Sequence, residues 1–156
     1  LKELGLDLAS LDFVASPLKR TSETMEIVRD NAGLERSGYR TDDRLKEIHF
    51  GHWQGHYWPE VPSVDPEGHA ARTADPFNWR PDGGESYADL TKRCATWFDQ
   101  LEDDTVCVSH GGVSRVLRGH IGGHEPDAIT ELRVPQDRIL VFRHGPTGIT
   151  AEWIDR

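Results

Sequence analysis

The sequence predicts an α/β fold in which a mostly parallel sheet is flanked by helices, and two stretches carry that prediction. In each, a short apolar strand passes through a turn into residues with helical spacing. The first is Val106-Cys107-Val108-Ser109-His110-Gly111-Gly112-Val113. Its β-branched residues read as a buried strand, His110 stands where the strand stops, and two glycines let the backbone turn and approach a ligand closely. Residues 113–117 then resume at helical spacing. The second is residues 11–15, closed by Ser16-Pro17, which reads as an N-cap followed by proline at the first helical position. If both strands belong to one parallel sheet, both junctions open on its carboxyl edge, where α/β folds bind ligands and where helix N-termini favour anions.

A chain of 156 residues suits one domain with a sizeable core. Its formal net charge of −9 argues against a nucleic-acid or membrane-surface binder, so a phosphate-bearing ligand needs a local cluster of positive groups. No apolar run approaches a membrane span, and no signal-peptide pattern opens the chain. Two cysteines are too few for a disulfide framework, and Cys94 and Cys107 read as small core residues in a reducing, cytoplasmic setting.

Taken in order, residues 1–5 read as the end of a helix, with Gly5 at its C-terminus. Leu18, Met25 and Val28 mark one face of a helix that runs to about Asn31, with Gly33 past its end and Arg20 in its first turn. Residues 39–42 suit a short strand, and residues 45–55 an ordered loop over a core edge. Residues 56–84, rich in Pro, Trp, His and Asp, are the least regular part and read as a lid, a binding loop or a partly helical segment. Ser86 with Asp89 three residues on resembles a capping box, opening a helix that buries Tyr87, Leu90, Cys94, Trp97 and Leu101. Residues 122–126 break the next helix, and residues 138–142 and 148–154 form a hairpin.

Four motifs then occur in order: Phe13-Val14-Ala15-Ser16-Pro17-Leu18-Lys19-Arg20-Thr21, the stretch 45–55 around Glu47, Gly83-Gly84-Glu85-Ser86, and Val108-Ser109-His110-Gly111-Gly112. Together they resemble the histidine phosphatase superfamily, the phosphoglycerate-mutase-like enzymes, across nearly the whole chain. The resemblance implies a three-layer sandwich and phosphoryl transfer through a phosphohistidine, with no metal and no cofactor. It assigns Arg20 as the phosphate clamp, a guanidinium forking onto two oxygens. It assigns His110 as the second active-site histidine, stabilising charge as the phosphoryl group moves, with the Gly111 N–H joining in. Glu47 matches the acid that protonates the leaving oxygen and later draws a proton from water.

The family's Arg-His-Gly strand, whose histidine is the nucleophile, does not open this chain. Arg143-His144-Gly145 spells the tripeptide, but a hairpin turn follows it instead of the polar loop and helix of the family. The reading therefore expects the nucleophile upstream of Leu1, an N-terminally incomplete single domain over 1–156, and no turnover by residues 1–156 alone. It favours a phosphatase of small-molecule phosphomonoesters. A mutase-type phosphotransferase and a non-catalytic phospho-ligand-binding domain are the alternatives. Residues 56–84, with Trp58, Phe77, Trp79 and Arg80, would cover the leaving group. Substrate identity and oligomeric state are not encoded in any of these motifs.

Overall fold

The computed structural model describes residues 5–155, so the helix end expected over residues 1–4 lies outside the described residues. The chain divides into two compact units, one of residues 1–47 and 96–110, the other of residues 48–95 and 111–156.

The first unit is built on a parallel sheet. Strands β1 (Asp12–Ala15), β2 (Arg40–Thr41) and β3 (Thr105–Val108) lie in the order β2-β1-β3. The register sets Asp12 against Thr105 and Ala15 against Val108, while Ala15 also faces Thr41. All three strands thus finish at one edge. The ladder continues one step beyond each end: the Ser16 N–H donates to the Val108 carbonyl at 2.9 Å, and the Asp42 N–H to the Ala15 carbonyl at 3.1 Å. Helix α1 (Lys19–Ala32) buries Thr21, Met25 and Arg29. Met25 joins Phe13 and Ala15 in a core flanked by Leu11, Leu34, Tyr39, Val106 and Val108. Gly33 ends the helix in the left-handed conformation, and its N–H and that of Leu34 satisfy the last carbonyls.

Two sequence expectations fail in this unit. The N-cap of α1 is Leu18, with no side-chain cap bond, and not Ser16. The Ser16 hydroxyl is engaged elsewhere, as the site shows. Cys107 is exposed, not buried, because β3 is the edge of the sheet among the described residues.

The second unit contains helices α2 (Val61–Val64), α3 (Pro66–Ala74), α5 (Gly111–Ile121) and α6 (Pro126–Glu131), and strands β4 (Ile139–Gly145) and β5 (Gly148–Ile154). Helix α4 (Tyr87–Phe98) starts in it. The capping box is present: the Asp89 carboxylate accepts from the Ser86 N–H at 2.9 Å, and the Ser86 hydroxyl accepts from the Asp89 N–H at 3.1 Å. Tyr87, Leu90, Cys94 and Trp97 are buried as the spacing requires, whereas Leu101 lies beyond the helix and is half-buried. Helix α6, which the residue pattern gave no sign of, packs Ile129 against Gly119 of α5 so closely that no side chain fits there. The hairpin β4–β5 is antiparallel, with Gly145 opposite Gly148 and His144 opposite Ile149. His144 is exposed there.

The segment 56–84 is partly helical, and each of its short elements carries proline at its start. Asp65 caps α3 by accepting from the Gly68 N–H at 2.9 Å, directly before Pro66. Trp53 is the buried centre of an aromatic group, stacked on Trp79 at 4.4 Å and edge-on to Trp58 at 5.8 Å.

Candidate active site

In the first unit the carboxyl edge of the sheet gathers three of the sequence-predicted segments. His110 follows β3 and is 8% exposed. Its Nε2 lies 2.8 Å from the hydroxyl of Ser16, which follows β1 and is fully buried. This bond joins residues 94 positions apart. The Ser16 hydroxyl lies nearer this partner than the Leu18 N–H, which reaches it only at 3.4 Å.

The turn carrying Arg20 is tied to the same point. The Thr21 hydroxyl, buried, lies 2.9 Å from the Ser16 carbonyl and closer still to that of Leu18. Arg20 itself is exposed in the first turn of α1, and its guanidinium has no ion-pair partner among the described residues. A charged fork at a helix start with its donors uncommitted is suited to an anion.

The segment leading to Glu47 arrives through β2. Asp42 caps the 3-10 turn Asp43–Leu45, accepting from the Arg44 N–H at 2.9 Å. The Arg44 side chain clasps the same carboxylate, and that hydrogen bonding holds Asp42 below the usual carboxylate range. The turn delivers the Leu45 carbonyl to the Ser109 hydroxyl, which donates to it at 3.1 Å. Glu47, two residues on, is half-buried. Ser16 and Ser109 are therefore the structural residues that the sequence reading did not identify. The available signal was their position, each at or just past a strand end beside a predicted site residue. Gly111 opens α5 one peptide bond after His110, and a side chain added there would meet nothing within 4 Å.

The stretch after Glu47 meets the Gly83-Gly84-Glu85-Ser86 motif in the second unit, where the backbone at 49–52 runs against 82–85. The Glu85 N–H donates to the His49 carbonyl at 2.8 Å, and the His52 N–H to the Asp82 carbonyl at 3.1 Å. Gly51, at φ +51°, and Gly84 allow this approach. A Cβ on Gly51 would fall on the Asp82 carbonyl, and one on Gly84 on the His49 carbonyl. Glu85 forks with Arg93 at 2.7 and 2.8 Å and accepts from the His49 N–H at 3.2 Å. Burial pushes the Glu85 carboxyl up, but Arg93 and the His49 N–H together hold it below its ordinary value. Beside it, His52 and the Trp53 indole both reach Asp65 at 2.9 Å; the bond to Asp65 raises His52, while the Gly68 N–H first, and then His52 and Trp53, lower Asp65.

Among the described residues, no group of three His, Cys, Asp or Glu side chains could hold a metal ion. None of the described helices is long and apolar enough to cross a membrane.

Comparison with known proteins places these motifs. "Glucosyl-3-phosphoglycerate phosphatase" of Mycolicibacterium vanbaalenii is 32% identical over 125 residues, which are 71% of this chain and 53% of that protein. "Phosphoglycerate mutase-like protein 4" of Arabidopsis thaliana is 36% identical over 110 residues, covering 66% of this chain and 46% of the relative. This chain thus spans about half the length of these relatives. Among solved structures, the alpha-ribazole phosphatase from Shigella flexneri superposes with a TM-score of 0.80 at 21% identity, over 96% of this chain and 75% of that one. The mycobacterial glucosyl-3-phosphoglycerate phosphatase with inorganic phosphate gives 0.72 at 25% identity, over 93% of this chain and 75% of that one. The fold is the α/β fold of these phosphatases, with the parallel sheet that the strand-turn-helix junctions predict. The model of the histidine phosphatase superfamily (branch 1) matches residues 1–155, and the chain belongs to that family.

Proposed function

We propose that this chain is part of a phosphomonoester phosphatase that works through a phosphohistidine, with the attacking histidine on an Arg-His-Gly strand ahead of Leu1. The observation that carries the reading is the convergence at the carboxyl edge of the sheet. Ser16 holds His110, Ser109 holds the backbone leading to Glu47, and the turn bearing Arg20 is bonded to Ser16.

In this reading the Arg20 guanidinium binds two non-bridging oxygens of the ester and sets the phosphorus in line with the nucleophile. The nucleophilic nitrogen bonds to phosphorus as the bond to the leaving oxygen breaks, and Glu47 supplies the proton that oxygen takes up. Water then attacks the phosphohistidine, Glu47 recovers a proton from it, and inorganic phosphate leaves. His110 does not attack. Its ring is held from one side by Ser16, so it serves as a fixed donor to a phosphoryl oxygen whose charge grows during transfer. The exposed Cys107 on the edge strand β3 supports a further strand alongside it. Small-molecule phosphomonoesters are the substrate class in this reading.

The test uses the full polypeptide, mixed with a radiolabelled phosphomonoester and quenched within its first turnovers. A label that survives base but is lost in acid, and maps ahead of Leu1, is the expected result. No labelled protein despite turnover, or a label on His110 or His144, would refute the assignment.

A further inference from the structure

Glu47 lies in no helix or strand; it stands two residues beyond the 3-10 turn Asp43–Leu45. A general acid must still meet the leaving oxygen within hydrogen-bond reach, and a misplacement of about 1 Å can cost on the order of a hundredfold in rate. What fixes the backbone ahead of Glu47 therefore bears on proton transfer. The turn is held at its entry, where the Asp42 N–H donates to the Ala15 carbonyl of β1 at 3.1 Å. It is held at its exit, where the Leu45 carbonyl accepts from the Ser109 hydroxyl at 3.1 Å. Between them the Leu45 N–H donates to the Asp42 carbonyl at 3.1 Å, and the Leu45 side chain is fully buried.

Arg44 adds an anchor to a more distant element. Its Nε and Nη2 fork onto the Asp42 carboxylate at 3.0 and 2.6 Å, the same carboxylate that caps the turn by accepting the Arg44 N–H at 2.9 Å. Its remaining nitrogen, Nη1, turns outward, donating to the Gln100 side-chain oxygen at 2.7 Å and reaching the Thr96 carbonyl at 3.4 Å. Thr96 lies in the last turn of α4, where carbonyls have no helical N–H partner and where the helix dipole favours a cation. All of these contacts fall within the first unit. The Asp42–Arg44 fork alone would be a local feature of the turn. The Nη1 contacts set the turn against residues 52 and 56 positions away. Hydrogen bonding between the partners lowers Asp42 and raises Arg44 from their ordinary values, so both ends of the clasp are charged near neutrality.

We propose that Arg44 is a positioning residue for proton transfer, which locks the Asp42 cap, ties it to the end of α4, and so fixes the turn that presents Glu47. The inference rests on the phosphatase reading above, in which Glu47 is the acid. Only a planar fork makes both sets of contacts at once, since a lysine ammonium at the same place is a single point charge. A residue that only stabilised the fold would lower turnover of every ester alike, through the fraction folded. A residue that positions the acid is felt where the leaving oxygen needs a proton. Phenolate needs one, its conjugate acid having a pKa of about 10, whereas 4-nitrophenolate leaves readily without one.

The test is kcat/KM of the full polypeptide on phenyl phosphate and on 4-nitrophenyl phosphate, for wild type, Glu47→Gln, Arg44→Ala and Arg44→Lys. The expected result is that Arg44→Ala loses about tenfold or more on phenyl phosphate and less than about threefold on the nitrophenyl ester, the selectivity of Glu47→Gln in weaker form. Arg44→Lys should fall between Arg44→Ala and wild type on phenyl phosphate. Gln100→Ala, at an exposed position, removes only the outer anchor and should show the same selectivity at about threefold, which keeps the test open if Arg44→Ala does not fold. Selective loss in Glu47→Gln together with no loss, or equal losses on both esters, in the Arg44 and Gln100 variants would overturn the positioning role and leave the phosphatase reading standing. Equal losses in Glu47→Gln itself, or no turnover of either ester, would sink the acid assignment, and the role of Arg44 with it.

Discussion

Replacing Ser16 with alanine removes the hydroxyl that lies 2.8 Å from His110 Nε2. Both residues are buried, so water does not simply take its place at the sheet edge. Leaving a buried polar group short of a partner costs about 1–3 kcal/mol. The side chain lost is one oxygen atom, so packing contributes little, and the Leu18 N–H loses only a contact of 3.4 Å. For a chain of this length the same figure corresponds to a fall in Tm of roughly 2–12 °C. Urea unfolding of wild type and Ser16→Ala, with unchanged m-values, measures it directly. A change below about 0.3 kcal/mol would show that the bond contributes nothing and that His110 is held by other contacts. In the full polypeptide, on the proposed phosphatase reading, the same variant should lower kcat/KM on the order of tenfold, as a loosened His110 forfeits about 1.4 kcal/mol of transition-state stabilisation.

Three further outcomes follow from the second unit. Glu85→Gln, by dissolving the fork with Arg93, should cost about 1–3 kcal/mol at neutral pH. Because the folded state holds Glu85 below its ordinary 4.5, its contribution is present above that value and is lost as pH falls through the depressed one. The gap between wild type and Glu85→Gln in urea titrations should therefore close below about pH 4.5 and stay open at pH 7. His52 has the opposite sign. Asp65 raises it above 6.5, so its contribution is complete below 6.5 and disappears as pH rises through the raised value; Tm scans of His52→Gln should differ more from wild type at pH 6 than at pH 9. Gly51→Ala should destabilise by more than 1 kcal/mol, since the added Cβ meets backbone and the φ of +51° disfavours it; a stable, wild-type-like Gly51→Ala would mean the two motif backbones are not packed as described.

How far the sequence could be read depended on the range of each interaction. The Ser86–Asp89 capping box was legible because both partners sit within one turn. The same local rule failed at Ser16-Pro17, although it holds at Asp65-Pro66. The Asp65 carboxylate has a second oxygen for the cap while His52 and Trp53 hold the first, whereas the single Ser16 hydroxyl lies against a histidine 94 positions away that only the fold brings there. Cys107 was misread for a related reason: an apolar strand looks buried in any position, and its place in the sheet order decides. Helix α6 was invisible because its six residues offer no full amphipathic period, only Pro126 at the start. The proposed site residues Arg20, Glu47 and His110 come from the resemblance alone, whereas the hydrogen bonds that Ser16 and Ser109 make at the sheet edge were not legible.

On the proposed reading, the carboxyl edge of this sheet binds a phosphoryl group through Arg20. The most direct measurement is kcat/KM of the full polypeptide on phenyl phosphate, wild type against Arg20→Ala. Loss of a charged fork acting on the transferring group should reduce it by about a hundredfold or more. Because Arg20 is exposed and has no ion-pair partner among the described residues, the variant should fold with unchanged stability. A folded Arg20→Ala enzyme within threefold of wild type would contradict the account.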